Sequence, residues 1–156
     1  MDKCVYVDES GVREYFKREY GRSLRGKKIE DIRGGRKFQR VNVIGGLCNG
    51  RHIGIKCYTN TTNSKFFEDW FENSLLKEVS KGSTIIMDNA SFHRKSVLRL
   101  LSEKAGVNLL FLPPYSPDFN PIEHSWSNMK RWLRDNLSRF TSLNLAIYDY
   151  FKVGTS

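Results

Sequence analysis

The chain has 156 residues and carries 26 Lys and Arg against 17 Asp and Glu, which gives a net charge of +9. That length is typical of one ordinary domain, and the basic balance favours a polyanionic partner without specifying a fold. Three cysteines without a C-x-x-C pair argue against a disulfide framework and a zinc knuckle, and they predict reduced core thiols in a cytoplasmic protein. No run is apolar and long enough for a signal peptide or a membrane span.

The first predicted strand is the run CVYVD, which ends on Asp8. Alternation places the side chain of Asp8 on the same face as those of Cys4 and Tyr6, with the two valines on the opposite face. If the strand continued, Glu9 would point to the face opposite Asp8.

A basic, glycine-punctuated segment follows, from Ser10 to Arg40. It holds eleven Lys and Arg against four Asp and Glu, which is +7 of the net +9. We expect this segment, residues 10–40, to form an exposed arm inserted into the domain.

The middle of the chain carries a hairpin signal and a helix signal. VNVIGGLC and RHIGIKCY flank Asn49-Gly50, and Asn-Gly suits a two-residue turn with positive φ at both positions. Asn63 can cap a helix running to about Val79, whose apolar residues recur at helical spacing.

The second half alternates strands and helices. STIIMD predicts a buried fourth strand that also ends on an aspartate, Asp88. FHRKSVLRLLSEKA predicts a helix ended by Gly106, and VNLLFL predicts a fifth strand. All four prolines of the chain then fall within residues 113–121, directly before an amphipathic helix that carries Glu123 in its first turn. A short helix is expected after Thr141.

Three carboxylates are candidates for a shared metal site. If strands one and four are central and parallel, Asp8 and Asp88 leave the sheet at the same edge. Two such carboxylates repel each other unless a cation lies between them, and hard oxygen ligands select Mg²⁺ or Mn²⁺. Glu123 is the candidate third ligand, because Asn120 can cap its helix with Pro121 in the first position. The prolines would restrict the loop and direct this first turn towards the strand ends.

Each of these residues also has a structural interpretation. Asn-Pro-Ile-Glu is a good helix start without any metal, Asp8 can be a turn residue, and Asp88 can precede a helix. His93 could act as a general base, although a histidine at a helix start is more often structural or DNA-facing. Asp118 in the proline loop is a rival third ligand that ranks below Glu123.

Three segments together resemble the catalytic blocks of DDE transposases of the mariner-type superfamily and its bacterial insertion-sequence relatives. They are VDES, IIMDNASFHR and LPPYSPDFNPIEHSWSNMKRWLR, with 34 residues between Asp88 and Glu123. The resemblance implies one RNase H-like domain over residues 1–156, a mixed five-stranded sheet flanked by helices, with Asp8, Asp88 and Glu123 as the catalytic, metal-binding triad. It also implies two Mg²⁺ ions, replaceable by Mn²⁺, for cleavage and strand transfer at transposon ends.

The resemblance further implies that the partner is DNA, both the element's ends and its target. YGRSLRGKK is similar to the segment that these enzymes carry between their first two strands. The side chains expected to contact DNA are Arg22, Arg25, Lys27, Lys28, Arg36, Lys37, His93, Arg94 and Lys130. The N-terminal helix-turn-helix region of the family does not occur in this sequence, so end recognition is expected from a separate polypeptide or a lost region. A homodimer assembled on DNA is also expected.

Two other functions remain open from the sequence. One is an inactive DNA-binding remnant of a transposase, and the other is an RNase H-like nuclease that acts on RNA hybrids. The complete set of three carboxylates favours an enzyme over a remnant, and the third block favours a transposase over a hybrid nuclease.

Overall fold

The computed structural model describes residues 3–17, 36–114 and 120–152 of the chain. This part holds five strands and four α-helices. In chain order they are β1 (Cys4–Lys17), β2 (Arg36–Cys48), β3 (Arg51–Tyr58), α1 (Ser64–Trp70), β4 (Thr84–Met87), α2 (Lys95–Ala105), β5 (Asn108–Phe111), α3 (Ile122–Asn136) and α4 (Leu143–Phe151). Within the described ranges, none of the helices has the length and apolar character needed to cross a membrane.

The strands form one mixed sheet in the order β3-β2-β1-β4-β5. β1 pairs antiparallel with β2 and parallel with β4, and β4 pairs parallel with β5. The predicted mixed five-stranded sheet is therefore confirmed, as is the prediction that strands one and four are parallel neighbours. The late helix predicted after Thr141 is also present, as α4.

The prediction that the first strand ends at Asp8 is wrong. β1 continues to Lys17, and its antiparallel register with β2 extends to the pair Lys17↔Arg36. The backbone of β2 lies alongside, so ladder hydrogen bonds carry the strand past Asp8. Both ends of the predicted basic arm, residues 10–17 and 36–40, are thus strands, and residues 18–35 lie outside the described part.

Helices cover both faces of the sheet. On one face, the predicted apolar stripe begins in α1 and continues into the turn after it; it packs with the apolar residues of β1 and β4, and Phe67, Trp70, Phe71 and Leu75 are at most 1% exposed. On the other face, α3 and α4 pack against Val12 of β1 and against Val41 and Val43 of β2. Both helical stripes predicted from spacing are buried.

The β2–β3 hairpin is confirmed, because Asn49 and Gly50 both have positive φ, 52° and 77°. A register shift follows where Ile44 pairs with Lys56 but Gly46 pairs with Ile53.

At this bulge Gly54 has a φ of 63°. Its N–H donates to Oε2 of Glu78 at 2.9 Å, and its carbonyl accepts from Nε1 of the buried Trp70 at 2.7 Å. The bulge puts one extra residue into β3, between Ile53 and Lys56. As a result, Ile53 packs with the helices on one face of the sheet and Ile55 with those on the other.

Helix boundaries differ in detail from the predictions. Asn63 caps α1 as expected, with its Oδ1 accepting from Phe66 N at 2.8 Å. The helix then changes to a π-helical turn over Phe71–Leu75 and a 3₁₀ turn over Leu76–Glu78. α2 begins at Lys95 instead of Phe92, and Gly106 ends it in the left-handed region.

Cys4, Cys48 and Cys57 are free thiols, but Cys4 is exposed and so is not a core residue.

Candidate functional site

Asp8 and Asp88 meet where the parallel pair β1 and β4 comes to an end. The last paired residues of that ladder are Tyr6 and Ile86, so Asp8 and Asp88 each lie two residues further along. β4 ends at Met87, whereas β1 continues past Asp8 with β2 as its paired strand. The topology thus brings the two predicted aspartates to the same edge.

Glu9 joins them, contrary to the prediction that it would point away. One carboxylate oxygen each of Asp8, Glu9 and Asp88 lies within 4.8 Å of the other two. Adjacent residues of a strand face opposite sides, but within the described residues no strand pairs with β1 on the β4 side beyond Tyr6, so both side chains can reach round this edge. The sequence signal that could have predicted this contact is the presence of a second carboxylate directly after Asp8.

Glu123 reaches Asp8 from the first turn of α3. Glu123 is exposed, and after burial and the charge of Glu9 it is a smaller cause of the raised pKa of Asp8; it lies outside the 4.8 Å group among the described residues. α3 begins at Ile122, one residue later than predicted, but Asn120 still caps it, because its Oδ1 accepts from Ile122 N at 3.3 Å. We call Asp8, Glu9, Asp88 and Glu123 the acidic edge.

Burial and mutual repulsion hold protons on the acidic edge. Burial, followed by the charge of Glu9, raises the pKa of Asp8 from 3.8 to about 8. Burial, followed by the charge of Asp88, raises the pKa of Glu9 from 4.5 to about 7. Without a cation, these two carboxyls therefore compete for protons near neutral pH.

Asp88 is held by the turn that follows it. Its Oδ1 accepts a hydrogen bond from Ala90 N at 3.3 Å, and its side chain is 49% exposed. The Asp88 carboxylate is therefore both oriented and accessible.

His93 is a packing residue in this structure. Its side chain is 1% exposed, and its ring lies 4.4 Å from those of Phe67 and Phe92. Its Nδ1 lies 3.2 Å from the Asp88 carbonyl and donates to it, while its buried Nε2 has no partner in the described part of the chain. Burial lowers the pKa of His93. The expected DNA contact of His93 is incompatible with this position, and neither nitrogen is placed to act as a general base.

The acidic edge fits a hard divalent cation. Its donors are carboxylate oxygens alone, and in the described residues no cysteine or histidine belongs to the 4.8 Å group. Oxygen-only donor sets suit Mg²⁺ or Mn²⁺, and a dication between the carboxylates would offset the repulsion that, after burial, raises the pKa values of Asp8 and Glu9.

The predicted DNA-contacting cations are only partly described. Arg94 is 60% exposed, but it is already paired with Glu68 through hydrogen bonds of 2.7 and 2.5 Å. Lys130 is half-buried on α3. Six of the predicted residues belong to the basic arm, and their side chains lie outside the described part: Arg22, Arg25, Lys27, Lys28, Arg36 and Lys37. Asp118 also lies outside it.

Similar proteins are consistent with this arrangement. Residues 3–144 match the family model described as DDE superfamily endonuclease. The chain is 35% identical to the Tc1 transposase of Caenorhabditis elegans over 71 residues, which are 43% of this chain and 26% of that protein. It is 29% identical to the Tc3 transposase of the same organism over 118 residues, which are 73% of this chain and 36% of that protein.

A solved structure shares the fold. Mos1 transposase, in a paired-end complex with the left transposon end, superimposes with a TM-score of 0.68 at 16% identity, over 96% of this chain and 48% of that one. The predicted RNase H-like fold is therefore confirmed. The chain spans about half of the Mos1 chain and smaller shares of the Caenorhabditis relatives. Since the family model matches nearly all of the described sheet and its helices, the chain belongs to the DDE superfamily endonucleases.

Proposed function

We propose that this chain is the catalytic domain of a transposase that cleaves DNA strands at the ends of a mobile element and joins them to target DNA. The observation that carries the proposal is the acidic edge, where carboxylate oxygens of Asp8, Glu9 and Asp88 lie within 4.8 Å of one another. Such a cluster lowers the stability of the metal-free fold. Carboxyl groups with strongly shifted pKa values at an accessible edge of a sheet are characteristic of active sites.

The cations would be held by Asp8 and Asp88 together with Glu123, and Glu9 is the alternative third ligand. The position of Glu123 beside Asp8 in the first turn of α3 supports the first set, and the grouping of Asp8, Glu9 and Asp88 oxygens within 4.8 Å of one another supports the second. Held by these residues, two Mg²⁺ ions, or Mn²⁺ in their place, would supply Lewis-acid activation of the attacking oxygen and charge stabilisation of the leaving oxygen at phosphorus.

The chain's own residues contribute position and charge. Asp88 is oriented by the Ala90 N–H, and β1 places Asp8 in the central strand of the sheet. Cleavage and strand transfer are both in-line displacements at phosphorus, so one arrangement of carboxylates serves both steps.

DNA is the proposed partner because the chain has a net charge of +9, most of it between Ser10 and Arg40. The Mos1 structure contains a transposon end, which supports the same choice. We further propose that a separate helix-turn-helix polypeptide reads the element's ends and that two copies of this chain assemble on DNA.

A strand-cleavage assay tests the catalytic proposal. The full chain is incubated with supercoiled plasmid and Mg²⁺ or Mn²⁺, and nicking is compared with Asp88→Asn and with Asp135→Asn. Asp135 is an exposed carboxylate near the far end of α3, so its variant removes the same charge outside the acidic edge. We expect metal-dependent nicking by the wild-type chain and Asp135→Asn but not by Asp88→Asn.

The same assay separates the alternatives. DNA binding without nicking in either metal would favour the inactive remnant. Faster cleavage of an RNA–DNA hybrid than of a DNA duplex would favour an RNase H-like nuclease. We also expect the chain alone to bind end and scrambled duplexes within about threefold of each other, because phosphate contacts carry almost no sequence information.

A further inference from the structure

Asn120 joins the start of α3 to the central strand. The residue is 5% exposed, and its Nδ2 donates to the Val7 carbonyl at 3.3 Å. Its Oδ1 accepts from Ile122 N at 3.3 Å, and its main-chain carbonyl accepts from Glu123 N at 3.2 Å. One buried residue thus contacts both the strand before Asp8 and the helix turn that carries Glu123.

These contacts link the two elements. Val7 is covalently followed by Asp8, and Asn120 is hydrogen-bonded on one side to the Val7 carbonyl and on the other to the N–H groups of Ile122 and Glu123. Val7 is 1% exposed and lies in the central strand, so the link is anchored in the core of the sheet. The side-chain hydrogen bond of Asn120 is a direct tie between the two elements at this point.

Helix capping alone does not account for an asparagine here. Asp and Ser cap helices about as well as Asn, but neither provides the second, donating group that faces the Val7 carbonyl. Asn63 offers the comparison within the same chain. It is exposed, and among described residues its side chain is used only through Oδ1, which accepts from Phe66 N at 2.8 Å.

We propose that Asn120 is a positioning residue of the metal site, which holds Glu123 against Asp8 by tying the first turn of α3 to β1. The inference rests on the proposed function, since it assigns Asn120 a part in cation binding. Residues that orient ligands in this way typically change metal affinity about 10- to 100-fold when they are replaced.

Mn²⁺ binding to the full chain, followed by electron paramagnetic resonance of the free ion, provides a readout independent of activity. Asn120→Asp keeps the side-chain shape and the acceptor for Ile122 N, but it replaces the donor that faces the Val7 carbonyl with a second acceptor. Asn120→Ser keeps a neutral acceptor for the helix start, but its side chain is too short to reach the Val7 carbonyl as well. Asn63→Asp and Asn63→Ser are the matched controls at the other capping asparagine.

We expect both Asn120 variants to raise the half-saturating Mn²⁺ concentration about tenfold or more and both Asn63 variants to leave it within about twofold. Since one Asn120 variant adds charge and the other does not, a shared effect reports the lost donor. A second measurement places Asn120→Ser in a Glu123→Gln background. If Asn120 acts through Glu123, the second change has little further effect.

Each outcome has a definite meaning. Wild-type affinity in the Asn120 variants would overturn the inference, as would fully additive effects of Asn120→Ser and Glu123→Gln. Absence of Mn²⁺ binding by the wild-type chain, or binding unaffected by Asp88→Asn, would instead count against the proposed function itself. Circular dichroism and thermal midpoints establish that each variant is folded before its affinity is compared.

Discussion

At the Gly54 bulge the buried polar groups are paired, whereas at the acidic edge they repel one another. Gly54 donates to Glu78 and accepts from the indole of Trp70, so the bulge satisfies its own backbone. Asp8 and Glu9 have raised pKa values because they are buried close to other carboxyls. The bulge therefore stabilises the fold, while the acidic edge costs stability until a cation is bound. This difference supports the proposal that the acidic edge is the catalytic site.

The largest expected effect follows from removing one carboxylate of the acidic edge. Asp8→Asn should lower metal-dependent strand cleavage on the order of a thousandfold or more, because the cation loses a ligand in the centre of the site. The same variant should be at least as stable as the wild-type chain at pH 8 without metal, since a repelling buried charge is gone. Plasmid nicking and urea unfolding measure the two effects. If Asp8→Asn were less stable than the wild-type chain at pH 8 without metal, the conclusion that the acidic edge costs stability would be wrong.

The next prediction separates the two candidates for the third ligand. Glu123→Gln should reduce cleavage about 100-fold or more, whereas Glu9→Gln should reduce it by less than about tenfold, if Glu123 completes the set with Asp8 and Asp88. The reverse ranking would assign the third position to Glu9. Retained activity together with a less stable α3 in Glu123→Gln would mean that this residue serves the helix start alone.

At the bulge we expect a loss of stability instead of activity. Gly54→Ala requires positive φ from a residue with a Cβ, which would lie 3.3 Å from Cζ2 of Trp70, so unfolding should become easier by about 1–3 kcal/mol. Gly50→Ala is the matched control, because Gly50 also has positive φ but a Cβ at that position would meet nothing within 4 Å. Urea denaturation should show a smaller loss there. Equal losses would leave the Trp70 contact without a measurable role.

A fourth prediction concerns pH. The folded-state pKa values of Asp8 and Glu9, about 8 and about 7, lie above their ordinary values of 3.8 and 4.5. Protonation therefore favours the folded state, and this contribution is complete below the ordinary values and is lost as the pH rises through about 7 and 8. Metal-free stability should fall by more than about 1 kcal/mol between about pH 5.5 and about pH 8.5.

Urea unfolding at several pH values checks this trend. Mg²⁺ should restore stability mainly at the higher pH, where the carboxylates are ionised, and Asp8→Asn should flatten the profile. A profile unchanged by Mg²⁺ and by Asp8→Asn would assign the pH dependence to other groups.

The smallest expected effect concerns the basic segment. Replacing Arg25, Lys27 and Lys28 with Ala should reduce the log-log salt slope of DNA binding by up to about 3, since each neutralised phosphate contributes roughly 0.9. Lys77, Lys81 and Lys104 are exposed lysines outside the proposed contact set, and their triple Ala variant controls for the change in net charge. Equal slopes in the two triple variants would mean that the segment is a solvated surface.

Local patterns predicted most of the fold. The Asn49-Gly50 turn, the capping by Asn63 and Asn120 and the buried stripes of α1 and α3 all depend on residues within a few positions of one another. Such interactions can be read from spacing, because turn geometry and helical periodicity are local properties. The same holds for the two aspartates, each of which directly follows a short apolar run of the sequence, VYV before Asp8 and IIM before Asp88.

The misses at the site came from contacts between distant segments. The burial of His93 depends on Phe67, 26 residues earlier in the chain, and on Phe111, 18 residues later. Its position in the sequence, close behind Asp88, could not distinguish a packing residue from one that faces DNA. The continuation of β1 to Lys17 likewise depends on β2, which pairs with it across residues 18–35.

By itself the sequence determined the order of elements and the candidates Asp8, Asp88 and Glu123, because hydrophobic periodicity and the three motifs are written in consecutive residues. Only the tertiary structure decided which carboxylates meet. Glu9 reaches Asp88 because β4 ends at Met87 while β1 continues. The first turn of α3, which carries Glu123, lies beside β1, where Nδ2 of Asn120 donates to the Val7 carbonyl across 113 positions of the chain. Distances of this kind depend on where neighbouring strands end and on what is buried between them, and no local pattern encodes either.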